Sequence, residues 1–524
     1  MELRRYSFFT LSIAFLTTLA VWSQSPPVNW GPLEPTQGSL LEIVPIKSTD
    51  FYTLRFSGGI LGSYRLTLHN QLSYVSHQKI KPITESGIGT IESATFFAKK
   101  FQVFISDRAN SEMNLYSQAF DQDSRGESIL RCGYSDQRLG AKPNFNFMVS
   151  QNRNYLLVYY EIPGRRENRD GYGYTLFDST FTEIKHGEYL LPFDGNLSTI
   201  NEHHVTNQGE YLLVVTEHKD KNDRFIGRDW ENFKALHLFK ITRDTLKEFY
   251  VNLNDKRIDD IAISSNNQNR VALTGLYGTG NQSGIQGIFT ITLDTGKDSI
   301  LNYSYSPFNR DILKESRTER QMNRLEKRTE NMGETPQIFS YKLRQIRTLS
   351  DGSQLGFMEQ YYMRRITNYD TRTGITTVNY HYYYMDIVAF KMDENGRFLW
   401  EKRIPKQQVS INDNGSYSSF ISFNNEQKAY AIFNDNQKNY DELGVFDRND
   451  EVVAPFNLAP NRNAIAIVTL DIKDGSMRRE SLTTRKELSA ISIPKLMKVD
   501  WKNQQVLLYA INRNRERFGI LSFK

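Results

Sequence analysis

The chain of 524 residues carries 65 lysines and arginines against 60 aspartates and glutamates, a formal net charge of +5. Proteins that bind nucleic acid carry a strong basic field, so this balance does not indicate a nucleic-acid partner. The single cysteine, Cys132, cannot form an internal disulfide or a cysteine-based metal cluster. Aromatic residues make up 13% of the chain, which favours a β-rich core because phenylalanine and tyrosine pack well on pleated sheets.

Residues 1–23 have the pattern of a secretory signal peptide. Arg4 and Arg5 precede an apolar run from Phe8 to Trp22, and the small Ser23 precedes the expected cleavage point. The run is too short to span a membrane, and no later stretch reaches the roughly 20 apolar residues that a spanning helix needs. No cysteine lies beside the cleavage point, so no lipid anchor is expected. We therefore expect an exported protein without a transmembrane segment.

A repeated pattern of four short strands organises residues 24–524. The most recognisable strand is the second, which is apolar and follows a tight turn rich in Asn, Asp and Gly, residues that accept the left-handed backbone of hairpins. The pattern recurs at intervals of roughly 50 to 80 residues. The predicted second strands are Phe51–Ser57, Phe101–Asp107, Tyr155–Ile162, Tyr211–His218, Val271–Gly278, Gln354–Tyr362, Ala429–Asp435 and Val506–Asn512.

Four-stranded sheets that repeat radially around an axis define a β-propeller. The fold class is therefore predicted to be all-β, with a single β-propeller of eight four-stranded blades; seven blades or two stacked sandwiches are the alternatives. The eighth repeat ends at its third strand, Arg517–Lys524, so its outer strand must come from elsewhere. Pro27–Glu34, which contains Trp30, is the only segment left, and its prolines are tolerated on an outer edge.

The predicted propeller has all of its long connections on one face. In each blade, the turns between the first and second and between the third and fourth strands open on one face, and the remaining connections open on the other. The first set is tight. The second set contains a charged segment (306–336), a long hairpin (363–381) and a loop (436–463). Because rigid scaffolds present functional loops, we predict that this face binds a partner.

Arginine and aromatic residues, the preferred anchors of protein–protein contacts, recur in these connections. The alternative is that Trp230 packs on its own blade and that the arginines pair locally with acidic residues. The candidate partner-binding residues are Arg165, Arg166, Arg169, Phe225, Arg228, Trp230, Arg364, Arg365, Arg372, Tyr380, Tyr382, Arg513 and Arg515.

Two of the insertions have a predicted structure of their own. The segment from about Arg310 to Asn331 is predicted to be a helix with one acidic and one basic side and no apolar stripe, so it is solvated or bridges charged surfaces. The hairpin that turns at Asp370–Gly374 has legs of about 15 residues, much longer than an ordinary blade strand. Its tyrosine-rich edges need cover, either from the face itself or from a partner.

The sequence contains no pattern of a catalytic or metal site. The adjacent His203 and His204 point to opposite faces of a strand and make a poor metal pair. Asp121–Gly126 resembles the start of a calcium loop, but Arg125 occupies a ligand position. We therefore expect no catalytic residues, no metal and no cofactor. A carboxylate pair assembled across blades stays open as an alternative.

Two phrases in the second half of the chain, Asp386–Lys391 (DIVAFK) and Phe398–Pro405 (FLWEKRIP), resemble exported propellers of gliding bacteria that use type 9 secretion. The resemblance covers repeats five to eight. Cargo of that pathway usually ends in a sorting domain, whereas this chain ends in a blade strand. The resemblance therefore implies a periplasmic protein, with secretion or an outer-surface location as the alternative. It also implies a protein partner in the cell envelope, for example an outer-membrane secretion channel whose periplasmic mouth the propeller would cap.

A second, weaker similarity concerns Ile291–Lys297 (ITLDTGK), which is similar to the repeat of quinone-dependent dehydrogenase propellers. The docking tryptophan of that family is missing, so no quinone is expected. The predicted function is a non-catalytic protein-interaction scaffold of the periplasm. The alternative is a glycan-acting or other hydrolase, which carboxylates of raised pKa at the central channel would favour.

Overall fold

The computed structural model describes the chain from residue 26 to its end with several gaps. The described residues are 26–58, 62–120, 125–138, 140–162, 169–220, 229–242, 245–251, 253–266, 269–279, 284–314, 323, 327, 337–369, 371–448, 452–453 and 462–524. The predicted signal peptide lies outside them and stays a prediction. Within the described residues, the strands form eight antiparallel sheets and one two-stranded hairpin.

The first half of the chain forms four sheets in which consecutive strands pair. Two strands, β1 (Val28–Trp30) and β2 (Glu34–Pro35), come first and belong to the last sheet. Blade 1 contains β3 (Ser39–Pro45), β4 (Phe51–Ser57), β5 (Ser63–Asn70) and β6 (Ser73–Ile80). The hairpin of β7 (Ile83–Thr84) and β8 (Gly87–Ile88) follows. Blade 2 contains β9 (Thr90–Phe97), β10 (Lys100–Ala109), β11 (Glu112–Phe120) and β12 (Arg125–Ser135).

Blades 3 to 5 repeat the same order. Blade 3 contains β13 (Phe145–Val149), β14 (Tyr155–Ile162), β15 (Gly171–Asp178) and β16 (Glu183–Leu190). Blade 4 contains β17 (Ser198–Val205), β18 (Tyr211–His218), β19 (Phe233–Thr242) and β20 (Thr245–Phe249). Blade 5 contains β21 (Lys256–Ser265), β22 (Arg270–Thr279), β23 (Gly287–Asp294) and β24 (Ser299–Pro307).

The last three blades carry additions to the pattern. Blade 6 contains β25 (Tyr341–Thr348), β26 (Gln354–Tyr369), β27 (Thr376–Met392), β28 (Phe398–Ile404) and the added β29 (Gln408–Ile411). Blade 7 contains β30 (Phe420–Asn424), β31 (Lys428–Asn436), β32 (Asn463–Asp471) and β33 (Met477–Thr484). Blade 8 contains β34 (Ile491–Ser492), β35 (Lys498–Asp500), β36 (Gln505–Asn512) and β37 (Arg515–Ser522), together with β1 and β2.

The blades close into a ring. Eight buried apolar clusters join successive blades, and one of them joins blade 8 to blade 1 through residues such as Phe51, Leu507 and Phe518. The eight predicted second strands are confirmed as β4, β10, β14, β18, β22, β26, β31 and β36. The prediction of an all-β propeller is therefore confirmed; the described residues form eight blades rather than seven, with four strands in each except blades 6 and 8, which have more.

The N-terminal segment supplies the missing outer strand of blade 8, as predicted. Val28 pairs with Leu521 and Trp30 pairs with Gly519, so β1 runs antiparallel to β37. A buried ion pair also crosses the junction: Arg55 Nη2 of blade 1 lies 2.8 Å from Glu516 Oε1 of blade 8. The first and last described strands thus lie in one sheet, which closes the ring by ordinary strand pairing.

The charged insertion differs in part from its prediction. The helix begins as expected with α1 (Arg310–Lys314), and residues 323 and 327 are also helical; the remainder of 310–331 lies outside the described residues. The expected absence of an apolar face is wrong for the first turn. Ile312 is buried beside Phe308 and Ile338 in the cluster between blades 5 and 6. The burial of Ile312 anchors the start of the insertion. A second short helix, α2 (Arg485–Leu488), follows blade 7.

The long hairpin is present and is formed by β26 and β27, of 16 and 17 residues. Their pairing continues from Gln354 opposite Met392 to Tyr369 opposite Thr376. At about 3.3 Å per residue, these strands are about 50 Å long, so the hairpin extends well beyond the blade. No helix of the described residues is long and apolar enough to cross a membrane.

Candidate functional site

The two faces of the ring differ as the strand order requires. The short-turn face is formed by the turns 46–50, 98–99, 150–154, 206–210, 266–269, 349–353, 425–427 and 501–504 and by the turns between third and fourth strands. The long-loop face carries the connections 81–89, 191–197 and 405–419, together with the described ends of the connections 308–340, 370–375 and 437–462. Consecutive antiparallel strands place each set at opposite ends of the blades.

Most of the predicted partner-binding residues of blades 3 and 4 lie outside the part of the chain that the structure describes. Arg165, Arg166, Phe225, Arg228 and the side chain of Trp230 lie outside the described residues. Arg169 is exposed where the loop of blade 3 returns to β15. These residues stay predictions. The candidate residues that the structure describes lie mainly on the hairpin of blade 6 and on blade 8.

The outer half of the hairpin exposes cationic and aromatic side chains together. Arg364, Arg365 and Arg372 are all exposed. The Arg364 guanidinium lies over the rings of Tyr362 and Tyr383, at 5.3 and 5.6 Å from their centroids. Those two rings stack across the strands, with centroids 4.6 Å apart. Cross-strand aromatic pairs of this kind stiffen a hairpin, so the arginine is presented on a rigid support.

One edge of the hairpin is covered and the other is open. Strand β29 pairs with β27 from His381 to Tyr384, and the Tyr382 hydroxyl donates to Asn414 Oδ1 at 2.7 Å. The Tyr380 backbone N–H donates to Asn412 Oδ1 at 2.8 Å. On the opposite side, β25 pairs with β26 only as far as Gln360. Among the described residues, no strand pairs with β26 over residues 362–369.

The arginines of blade 8 have different surroundings. Arg513 is exposed in the tight turn before β37, with a φ of 54°. Arg515 Nη2 donates to the carbonyl of Leu33 at 2.6 Å, and Arg517 Nη2 donates to the carbonyl of Gly31 at 2.6 Å. Arg515 thus holds the N-terminal segment onto blade 8, a structural contact that its exposed position in the sequence pattern did not reveal.

A buried charged network supports the base of the hairpin. Lys406 Nζ donates to Glu359 Oε1 at 2.9 Å and to the carbonyl of Tyr384 at 3.0 Å. Arg344 Nη2 lies 2.8 Å from Glu359 Oε2, which also accepts from the Ser419 hydroxyl at 2.8 Å. Burial lowers the pKa of Lys406, and the adjacent Glu359 opposes that shift. The sequence feature that could have predicted this network is Glu359, a charged residue inside the apolar second strand of blade 6.

The described part of the blade 7 loop is anchored in the same way. Arg479 pairs with Asp435, which also accepts from the Tyr440 hydroxyl at 2.6 Å. Asn439 Nδ2 donates to Asp435 Oδ1 at 2.8 Å, and the Arg479 guanidinium lies 4.1 Å from the ring centroid of Phe446. Phe446 therefore packs on its own blade and does not stand free at the surface.

Carboxylates beside the axis join neighbouring blades. The inner strands of blades 1, 2, 4, 5 and 6 each contain a register shift, and such bulges re-aim side chains. Glu202 Oε2 accepts from the backbone of Ile263 at 2.8 Å, and Asp260 Oδ2 accepts from that of Leu343 at 2.7 Å. Sequence reasoning missed these links because the bulge position is not visible in a strand pattern.

Two neighbouring carboxyl groups in this region have raised pKa values. Burial raises the pKa of Asp259 to about 6, and Arg257, whose Nη2 lies 3.2 Å from Asp259 Oδ2, opposes that shift. Burial also raises the pKa of Asp260. Among the described residues, no group of three or more histidine, cysteine or acidic side chains could hold a metal ion. The axis thus has carboxylates of raised pKa that are already engaged in contacts.

No protein-family model matches the sequence, and no curated protein matches it. Solved structures are similar in fold. The WD40 domain of SCAP from fission yeast has a TM-score of 0.37 at 8% identity, covering 95% of this chain and 94% of that chain. The β-propeller domain of the Trilobed protease from Pyrococcus furiosus has a TM-score of 0.30 at 9% identity, covering 70% and 96%. Polysaccharide lyase Uly1 has a TM-score of 0.34 at 10% identity, covering 97% and 94%. At these TM-scores the similarities carry no argument about function.

Proposed function

We propose that the protein is a non-catalytic interaction scaffold that binds an acidic, extended segment of a protein partner along the β26–β27 hairpin. The observation that carries the proposal is the open β26 edge over residues 362–369 beside exposed arginines. An exposed strand edge is a template for strand addition, in which backbone hydrogen bonds supply affinity and neighbouring side chains supply specificity.

The charge of the hairpin favours an acidic partner. Between Tyr361 and Tyr384 the sequence contains three arginines and one acidic residue, Asp370. Exposed charges of one sign accelerate the encounter with a complementary partner and are screened by salt. Binding is therefore expected to weaken as the salt concentration rises.

The base of the hairpin supports a preorganised surface. Glu359 and Lys406 are buried and hydrogen-bonded beneath it, and β29 covers the β27 edge. A surface that is already ordered loses little conformational entropy on binding. The hairpin therefore offers its arginines and its free edge without a costly rearrangement.

The proposed location of the partner is supported by the sequence alone. The predicted signal peptide and the resemblance to exported propellers of type 9 secretion support a periplasmic protein whose partner lies in the cell envelope. A soluble subunit at the periplasmic mouth of an outer-membrane channel is the specific form of this proposal. Fractionation, with N-terminal sequencing of the processed chain, tests the location; a chain that keeps residues 1–23 in the cytoplasm contradicts it.

The binding surface is tested by charge reversal. A tagged chain expressed from its own gene is purified from envelope extracts, and its main partner is identified. The affinity of that partner is then measured for the wild type and for the triple variant Arg364→Glu, Arg365→Glu, Arg372→Glu. Exposed ion pairs contribute about 0.5 kcal/mol each, so we expect about tenfold weaker binding.

The matched control reverses three exposed lysines of the short-turn face, Lys47, Lys473 and Lys502. The control should bind as the wild type does. Equal binding by the hairpin variant, or an equal loss in the control, contradicts the proposed surface. The absence of any retained partner in washed envelope fractions contradicts the scaffold itself.

A hydrolase is the second candidate, because a carboxyl group with a pKa of about 6, as in Asp259, suits general acid–base chemistry. Its contact with Arg257 is equally consistent with a structural role. The variant Asp259→Asn separates the two: a hydrolase loses turnover of a polysaccharide substrate with its fold intact, whereas a scaffold has no turnover to lose.

A further inference from the structure

The short-turn face contains a cavity that the proposed function does not use. Its volume is about 570 Å³, within the range of roughly 300 to 1,000 Å³ typical of small-molecule sites. Turns of blades 3, 4, 5 and 6 surround it with amides and hydroxyls, including Asn152, Asn207, Asn266 and Ser350. Apolar lining is limited to a few side chains such as Val271 and Leu349. Polar and apolar atoms contribute similarly to the wall, so the cavity suits a ligand that carries polar groups on a carbon skeleton.

One charged group in the wall lacks a counter-charge. Arg347, near the end of inner strand β25, forms no ion pair with any carboxylate of the described residues, and burial lowers its pKa to about 10, so it is charged at neutral pH. The face of its guanidinium stacks on Trp501 of blade 8, 3.3 Å from the ring centroid. Stacking on the face leaves the N–H groups at the guanidinium edge directed along its plane.

The other charges of the cavity are balanced. Arg270 faces Glu394 at 3.6 Å, and Asp351 lies 3.2 Å from Lys391 Nζ. Arg347 is thus the source of an uncompensated positive charge. A cation–π contact offsets only part of the free energy that removing a cation from water costs. An anion at its edge would supply the remainder.

Gln151 positions the guanidinium at the cavity. In the amide orientation that satisfies both neighbours, Gln151 Oε1 accepts from Arg347 Nη2 at 2.9 Å, and its Nε2 donates to the carbonyl of Ser265 at 3.0 Å. Residues of blades 3, 5, 6 and 8 are thereby linked around Arg347, through Gln151, Ser265 and Trp501. The arrangement fixes the arginine at the boundary between this cavity and a smaller one of about 300 Å³ lined by Gln151 and Trp501.

We infer that this cavity binds a small hydroxylated organic acid, with its carboxylate on the edge of Arg347 and its hydroxyl groups on the amides of the turns. Guanidinium edges match carboxylates in bidentate geometry, and amide and hydroxyl linings match polyol groups. Since the cavity lies on the face opposite the hairpin, this site is independent of the proposed partner.

The test uses calorimetric titration of the full chain with D-gluconate, D-glucuronate, sorbitol and inorganic phosphate. Sorbitol is matched to gluconate except for the carboxylate, and phosphate reports a site for any anion. We expect at least one of the two acids to bind, and sorbitol to bind at least about tenfold more weakly, because a hydrogen bond to a charged group contributes about 1.5 to 3 kcal/mol.

Three variants assign the binding to Arg347. Arg347→Gln should abolish it, and Arg347→Lys should restore only part, because an ammonium group cannot form the bidentate contact. If Arg347→Gln does not fold, Ser350→Trp fills the cavity from an exposed turn position without touching the arginine, and it should block binding equally. Lys502→Gln, on the same face but outside the lining, is the control.

The opposite outcomes are equally clear. The inference is overturned if neither acid binds at about 10 mM, an affinity too weak for a specific site. It is also overturned if phosphate binds as tightly as the acids do, or if binding survives both Arg347→Gln and Ser350→Trp.

Discussion

The junction between blades 8 and 1 and the hairpin of blade 6 use arginine in opposite ways. At the junction, Arg55 is fully buried, with both Nη atoms 2.8 to 2.9 Å from the carboxylate of Glu516. On the hairpin, Arg364 is exposed and contacts only aromatic rings in the described residues. The first arrangement fixes the fold and the second leaves charge available. Stability and binding should therefore respond to mutations in different regions.

The largest expected effect is at the junction. Glu516→Ala removes the partner of a buried guanidinium and also the acceptor of the Tyr509 hydroxyl, which lies at 2.9 Å. Loss of one member of a buried ion pair costs about 3–5 kcal/mol of unfolding free energy. Urea unfolding followed by tryptophan fluorescence measures it, with Arg513→Ala in the adjacent exposed turn as the control. A change below about 1 kcal/mol in Glu516→Ala would remove the pair from the account of ring closure.

The next effect tests the closing strand itself. A Cβ atom on Gly519 would lie 2.6 Å from the Trp30 ring, so Gly519→Val should push β1 away from β37 and cost about 1–3 kcal/mol. Hydrogen exchange at residues 28–30 should accelerate with it. Unchanged exchange at those residues would show that the strand pairing of blade 8 tolerates the displaced ring.

These residues also show what the sequence could and could not predict. The second strands were predictable because apolar runs after Asn-rich and Gly-rich turns are local patterns. The fourth strand of blade 8 was predictable by elimination. The pairing of Arg55 with Glu516 was not, because those residues are 461 positions apart and nothing local distinguishes a buried arginine from an exposed one.

The candidate sites divide along the same line. The hairpin was predictable from the length of its two strands, whereas partner binding by its exposed arginines stays a prediction. Arg515, predicted as a partner contact, also bonds the Leu33 carbonyl, a contact that depends on where the N-terminal segment returns. The Arg347 cavity was missed altogether, because it requires four blades to meet around a turn position. Contacts between distant blades are set by the closed ring and have no signature in one repeat.

A further effect at the same junction depends on pH. Burial, with Arg55 adding to it, lowers the pKa of His69 from 6.5 to about 3; its ring stacks on Phe51, with centroids 4.7 Å apart. Because the unfolded chain binds this proton more readily, the contribution of His69 is full above pH 6.5 and is lost as the pH falls from about 6.5 towards 3, at up to about 1.4 kcal/mol per pH unit.

The variant His69→Gln isolates this contribution. The difference in unfolding free energy between wild type and variant, measured from pH 7 to pH 4, should shrink as the pH falls. The His381→Gln variant on the hairpin serves as the control and should give a difference that does not follow this course. A wild-type difference that is constant with pH would mean that His69 is already accessible to protons in the folded ring.

The smallest effect is expected on the hairpin, where it sharpens the comparison most. Arg364→Ala removes an exposed charge and two cation–π contacts at a solvated site, each of which contributes about 0.5–1 kcal/mol, and the side-chain entropy that the variant recovers offsets part of that loss. We expect a change in unfolding free energy within about 0.5 kcal/mol of zero, measured in the same urea experiment as Glu516→Ala. Tyr362→Ala, which removes the ring beneath the guanidinium, should cost more, since it also breaks the stack with Tyr383. If Arg364→Ala destabilised the protein as strongly as Glu516→Ala, the hairpin would be part of the core, and Arg364 would serve the fold rather than a partner.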